Sequence, residues 1–215
     1  MTEVIVLNNI FFLGMGDLAK ELHAYLVTAP DFSFNTNFYF YDDAVKSDLS
    51  LNGFSIGYVS DIQSAIYSAE SIYFLTVSSG RESLYNTLKE NGFIVSSFLH
   101  HTAIVSPFST FGEGCIFFPH SVVSCNAQIG NSNVFNSFVG VGHDVVIGDF
   151  NTFSSRVDLT GHVKIENSCF FGPGSVVLPG KSICDNCSIG PNVVVYNSLK
   201  SPKTLFNLPP RPLSR

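Results

Sequence analysis

Positive charge is scarce in this chain. Of its 215 residues only 13% are charged, 11 Lys or Arg against 17 Asp or Glu, and the net charge is −6. Proteins that grip phosphate backbones or anionic membranes do so through a Lys/Arg surplus, so this balance argues against both as partners. A basic leader with a long apolar run is also missing: the opening Met1-Thr-Glu-Val-Ile-Val has neither. We expect no signal peptide, no membrane span and a cytoplasmic protein. Paired cysteine motifs are lacking as well. The five cysteines are odd in number, and Cys184-x-x-Cys187 has no second pair at zinc-ribbon spacing. Free thiols in a reducing compartment and no metal site are the expectation. The dinucleotide fingerprint is incomplete too, because Ala19 stands where its third glycine belongs after Gly14-Met15-Gly16, and NAD is not expected.

What the chain does have is a beat of six. From Val105 through Phe111, Phe117 and Val123 to Ile183, Ile189 and Val195, every sixth residue is Val, Ile, Leu or Phe, without an insertion. A helix would place apolar residues at spacings of three and four, a lone strand at two. A sustained period of six is the pattern of a parallel β-helix. Each rung is a short strand plus a turn with one apolar residue pointing inward, and three rungs close a triangular coil. Stacked coils then bury a core that no single coil buries alone. About five coils fit between residues 99 and 198.

Residues 1–98 read differently. Asn9–Leu13 is an apolar strand ending in Gly14-Met15-Gly16, with Asp17 as helix cap. Strands follow over Asn37–Tyr41, Phe54–Tyr58, Ser71–Val77 and Phe93–Val95, with helices after Asp61 and after Arg81. This alternation predicts a small, doubly wound α/β domain, Rossmann-like in type. Ligands of such sheets sit at the carboxyl ends of the strands, which nominates Gly14, Gly16, Asp42, Asp43, Ser78 and Arg81 for substrate binding. Residues 199–215 are Pro-rich and read as an extended tail that caps the last coil or reaches a neighbouring subunit.

Residues eighteen apart stack on adjacent coils. One column is Asn126, Asp144, His162, Gly180, and the next is Cys125, His143, Gly161, Pro179. Two histidines, a carboxylate and a glycine therefore converge on one corner. His143 is the candidate base with Asp144 as its partner, and His162 is a candidate substrate contact.

These residues also resemble a family, the bacterial sugar acetyltransferases typified by PglD and NeuD. The likeness runs nearly end to end. It rests on Gly14-Met15-Gly16-Asp17-Leu18-Ala19-Lys20-Glu21, the acids Asp42 and Asp43, and Glu90-Asn91-Gly92-Phe93. It continues through Leu99-His100-His101-Thr102-Ala103, Asn136 with His143-Asp144-Val145-Val146-Ile147-Gly148-Asp149-Phe150, and Thr160-Gly161-His162-Val163-Lys164-Ile165. The resemblance implies a left-handed β-helix and a nucleotide-sugar-binding N-terminal domain. It implies His143 as general base on a sugar amine, Asn136 near the substrate, and acetyl-CoA as co-substrate. The acetyl-CoA would lie in a groove between subunits of a homotrimer, against Gly161, Gly172, Gly174 and Gly190. The alternatives are O-acetylation of a sugar hydroxyl, or a trimeric scaffold without activity. The chain departs from the family at Asp17-Leu18, where a Gly-His is usual, at Gly142, where an acid precedes the base, and at Thr152, where a second His is usual.

Overall fold

The structure, a computed structural model, describes residues 9–30, 32, 36–42, 44–61, 71–77 and 80–207. It forms two compact units divided between Ser97 and Phe98.

In the first unit, strands β1 (Asn9–Leu13), β2 (Asn37–Tyr41), β4 (Phe54–Tyr58) and β5 (Ser71–Leu75) are parallel, in the order β4-β2-β1-β5. Alternation along the strands gives the sheet two apolar faces. On one face, Phe12 and Phe38 pack against His23 of helix α1 (Asp17–Val27). On the other, Phe11, Leu13, Tyr73 and Leu75 pack with Leu88 of helix α2 (Arg81–Glu90). A sheet covered on both sides has near-continuous apolar strands, which is why Ile-Phe-Phe-Leu in β1 shows no alternation.

Three expectations change here. Strand β3 (Leu49–Leu51) pairs antiparallel with β4. Its signal was the tight Asn52-Gly53 turn, whose φ angles are 52° and 82°, a two-residue hairpin. Gly16, not Asp17, is the N-cap of α1; Asp17 opens the helix and pairs with Lys20. Residues 93–95 form a single bridge, Val95 to Tyr73, instead of a strand. The helix expected after Asp61 lies outside the described residues.

The second unit is a parallel β-solenoid. Its strands are two residues long, from β6 (Phe98–Leu99) to β23 (Thr204–Leu205), and they stack into three parallel sheets of 6, 5 and 7 strands. We call these the first, second and third faces; Val122–Val123, Gln128–Ile129 and Val134–Phe135 lie on them in turn. Pairing runs from each coil to the next, Val123 to Val141, Ile129 to Ile147 and Phe135 to Phe153. The beat positions from Phe117 to Val195 are all buried, while Val105 and Phe111 at the start of the stack are only partly covered. In the third face, Phe117, Phe135, Phe153 and Phe171 stack at 4.7, 5.0 and 5.0 Å between ring centroids. Adjacent strands are about 4.8 Å apart, close to aromatic stacking distance, so a column of Phe fits the coil rise.

Most rungs bury two residues, not one. The position two before the beat also points inward and is filled by Val139, Val145, Val157 and Val163, or by Cys115, Cys169 and Cys187. Strand alternation requires this, since positions two apart share a face. Three of the cysteines are thus small core residues. Asn133 and Asn151 occupy the same inward row and form a ladder. Asn151 N donates to Asn133 Oδ1 (2.9 Å) and Cys169 N to Asn151 Oδ1 (2.8 Å), while the two side-chain amides donate to the carbonyls of Gly148 (2.8 Å) and Glu166 (2.9 Å). Buried amides stay cheap only when so satisfied.

The corners share one device. His120, Asn126, Ser132, Phe138, Asp144, Phe150, Arg156, His162 and Ser168, one every six residues, all have left-handed backbone with φ between 52° and 64°. Each non-glycine there costs about 1–2 kcal/mol, less for Asn and Asp. Coil-to-coil hydrogen bonds on both sides of every corner hold it. Past Ser198 the beat is lost, yet Leu199 bridges Ile183 and Thr204–Leu205 pairs with Ser188–Ile189. The register there is shortened by two residues, which hides one further rung from a six-residue count. Pro209, Pro210 and Pro212 lie outside the described residues.

Candidate active site

The corner joining the first face to the second carries the converging histidines. His143 Nδ1 lies 2.8 Å from Asp144 Oδ2, and Asn126 Nδ2 donates to Asp144 Oδ1 at 3.2 Å. Hydrogen bonds from His143 first, then Asn126, hold the Asp144 carboxyl below its ordinary range. An ionised carboxylate only accepts, so Nδ1 of His143 is the donor, and in the neutral ring Nε2 keeps a free lone pair. His162 stands one coil on. Its Nδ1 is 4.0 Å from Asp144 Oδ2, and its ring is 5.0 Å from that of His143 at 88°. The backbone beneath is fixed by His162 N to His143 O (3.0 Å) and Asp144 N to Cys125 O (3.1 Å). Asn126 completes the corner; the eighteen-residue column contained it, though nothing in its type marked it as a site residue.

Glycines shape the same corner. A Cβ at Gly161 would lie 2.6 Å from His143 Nε2, so the bare backbone leaves the imidazole its place. A Cβ at Gly142 would lie 2.8 Å from Gly161 N. The acid that the resembling family carries before its base has no room here.

The remaining nominated residues fall elsewhere. Asn136, Gly172 and Gly190 form one column at a different corner, between the third face and the first, with Gly174 beside them. Asn136 Oδ1 accepts from Ser137 N at 2.6 Å. Added Cβ atoms would lie 2.7 Å from Pro191 N at Gly172 and 2.8 Å from Phe206 at Gly190, so coil stacking alone requires both glycines. Within one chain these residues do not meet His143.

In the first unit, Gly14, Asp42 and Arg81 follow the adjacent strands β1, β2 and β5. Gly14 has φ +104° and faces Val77 too closely for any Cβ. Asp42 spends both oxygens on backbone, Oδ2 on Met15 N (2.7 Å) and Oδ1 on Ala44 N (2.7 Å) and Val45 N (3.1 Å). Desolvation raises its pKa, but these three donors outweigh it and hold the carboxyl below its usual value. Asp42 is therefore a clasp on the glycine loop. Arg81 is buried and turns back, its Nε donating to Val77 O at 3.3 Å. Around Gly16, at the start of α1, an added Cβ would meet no atom of the described residues within 4 Å. Asp43 and Ser78 lie outside the described residues.

Residues 162–197 match the family model of the bacterial transferase hexapeptide (six repeats). Among solved structures, the acetyltransferase domain of PglB from Neisseria gonorrhoeae is similar at TM-score 0.80 and 21% identity, over 96% of this chain and 100% of that one. WeeI from Acinetobacter baumannii is similar at TM-score 0.78 and 24% identity, over 91% and 93%. PerB from Caulobacter crescentus, solved with CoA and GDP-perosamine, is similar at TM-score 0.77 and 21% identity, over 89% and 90%. This chain has their fold, and it bears the transferase hexapeptide repeat in the coils that follow His143.

Proposed function

We propose that the chain is an acetyl-CoA-dependent sugar N-acetyltransferase of the PglD/NeuD type, acting on a nucleotide-linked amino sugar in surface-glycan synthesis. One observation carries the reading: a histidine whose proton is pinned to Nδ1 by Asp144, leaving the Nε2 lone pair open over Gly161. The neutral amine attacks the thioester carbonyl. As the C–N bond forms, the amine proton passes to Nε2; as the C–S bond breaks, the imidazolium returns a proton to the departing CoA sulfur. A base so placed contributes about 10²–10⁴-fold. Asp144 acts through His143, holding its tautomer and offsetting its charge. A sugar hydroxyl needs stronger activation than an amine, and with Gly142 before it His143 has Asp144 alone as an acidic neighbour, which favours N- over O-acetylation.

The N-terminal unit is read as a Rossmann-like module for the nucleotide. The open space at Gly16, over the positive end of α1, suits a phosphate, and Asp42 keeps the loop in place. The PglB domain has been solved with acetyl coenzyme A and PerB with CoA and GDP-perosamine, in support of the same two substrates here. The glycines at the other corner, Gly172, Gly174 and Gly190, join His143 only when a neighbouring copy supplies them. That arrangement fits a homotrimer with a left-handed coil and cyclic closure. A cytoplasmic setting suits free thiols at Cys115, Cys169 and Cys187.

The test incubates the full chain with acetyl-CoA and UDP-, dTDP-, GDP- and CMP-linked amino sugars, following acetylated product by mass. Acetylation of one amine, lost in His143→Asn, is expected. No product with any acceptor, or acetylation at a hydroxyl, overturns the assignment.

A further inference from the structure

Acetyl transfer by His143 needs one base, yet a second imidazole, His162, stands at the same corner. His162 Nδ1 lies 4.0 Å from the same Asp144 oxygen that His143 Nδ1 approaches at 2.8 Å. One donor atom from each of the three residues falls within 4.8 Å of the others. The side chains of His143, Asp144 and His162 are 54%, 39% and 65% exposed, so an ion from solution reaches all three. Two imidazoles and one carboxylate make a donor set for borderline-soft divalent ions such as Zn²⁺ or Co²⁺, unlike the all-oxygen sets of Mg²⁺ and Ca²⁺. Three protein donors leave a fourth position to water. The donors ride on stacked coils whose corners are bonded to each other, and Asn126 steadies the second Asp144 oxygen at 3.2 Å. Support of that kind holds a coordinating carboxylate in place.

We propose that His143, Asp144 and His162 bind a divalent transition-metal ion, with zinc as the natural candidate, and that the bound ion switches off the base. The second half rests on the acetyltransferase reading; the first does not. The switch follows from proton bookkeeping on one ring. Without metal, the neutral imidazole of His143 holds its proton on Nδ1 and offers Nε2 as a base. A metal ion beside Asp144 takes the Nδ1 lone pair, and the one proton of the neutral ring must then sit on Nε2. The nitrogen facing Gly161 becomes a donor and can no longer accept from an amine. The ion acts from the Asp144 side and leaves the space over Gly161 unblocked.

The experiment titrates ZnCl₂ into the full chain by calorimetry and reads CoCl₂ binding by visible absorption. Wild type is expected to bind one ion per chain. His162→Asn should weaken binding about tenfold or more. Cys184→Ser should leave it unchanged, which separates this site from the other soft pair, Cys184 and Cys187, whose sulfurs are 3.6 Å apart. Absence of saturable binding, equal binding by His162→Asn, or loss in Cys184→Ser overturns the site. In the acetylation assay, zinc should inhibit wild type reversibly on chelation and should inhibit His162→Asn only at about tenfold higher concentration. Zinc binding without inhibition of an active enzyme overturns the switch. Zinc binding by a chain that acetylates no acceptor overturns the acetyltransferase reading and leaves the metal site standing.

Discussion

Nε2 of His143 lies over Gly161 so closely that a single methyl group there would stand 2.6 Å from it. The obstructing atoms belong to a half-exposed side chain and not to backbone, so Gly161→Ala should displace the imidazole and leave the coil intact. We expect an unchanged circular dichroism spectrum and melting temperature with kcat lowered about tenfold or more, since small misplacement of a reacting group is costly. An alanine variant as active as wild type would mean that the ring is not used in this position.

His143→Asn removes the base while keeping a polar side chain at the corner. The expected result is a fall in kcat of about 10²-fold or more with acetyl-CoA affinity nearly unchanged. Steady-state kinetics alongside calorimetric CoA binding checks both halves. Equal losses in both would show that His143 supports binding instead of proton transfer.

Phe153 is fully buried between Phe135 and Phe171, 5.0 Å from each. Truncation leaves a cavity that stacked coils on both sides cannot close. Phe153→Ala should cost about 3–5 kcal/mol, plus part of about 0.5–1.5 kcal/mol for each lost ring pair. Urea unfolding of the solenoid measures this; a loss under 1 kcal/mol would mean that the coils collapse onto the gap.

The Phe column, the faces and the His143–Asp144–Gly161 convergence were all legible from spacing, because a period of eighteen converts sequence offset directly into spatial adjacency. Asn151 was not legible. A polar residue before a beat position reads as turn, and only the register reveals that its Oδ1 meets the amide of Cys169. Asp42 and Arg81 follow β2 and β5, but their partners are backbone groups: Met15 N, Ala44 N and Val45 N for Asp42, and Val77 O, four residues back, for Arg81. No local pattern marks the contact between Asp42 and Met15. The rung at Thr204–Leu205 was hidden by a two-residue shortening that breaks periodicity without breaking pairing.

If Gly172, Gly174 and Gly190 meet His143 across a subunit boundary, the active species is an oligomer. A chain of 23.4 kDa should sediment at three times that mass, and dilution to monomer should abolish acetyl transfer. A monomer that retains full specific activity would remove the neighbouring copy from the site.

His23 sets an acid limit on the N-terminal unit. Its ring is fully buried among Phe12, Phe38 and Phe54. Nδ1 lies 3.2 Å from the Asn52 amide nitrogen, a donor, so Nδ1 accepts and Nε2 carries the proton, with no acceptor in reach among the described residues. A second proton would bury a cation among aromatic rings, and burial pushes the pKa down from 6.5 to about 4. The folded state therefore binds this proton more weakly than the unfolded chain. Its contribution is complete above the unfolded value near pH 6.5 and is lost progressively as pH falls toward about 4, to a total of about 3 kcal/mol. Carboxylates held low, such as Asp42, surrender their share only at still lower pH, so the two effects separate. Thermal unfolding followed from pH 7 to 4.5 should show wild type losing stability across this window. His23→Leu, with no proton to take up, should give a flatter profile even where its overall stability is lower. Identical slopes in the two proteins would mean that the ring escapes to solvent before it is protonated.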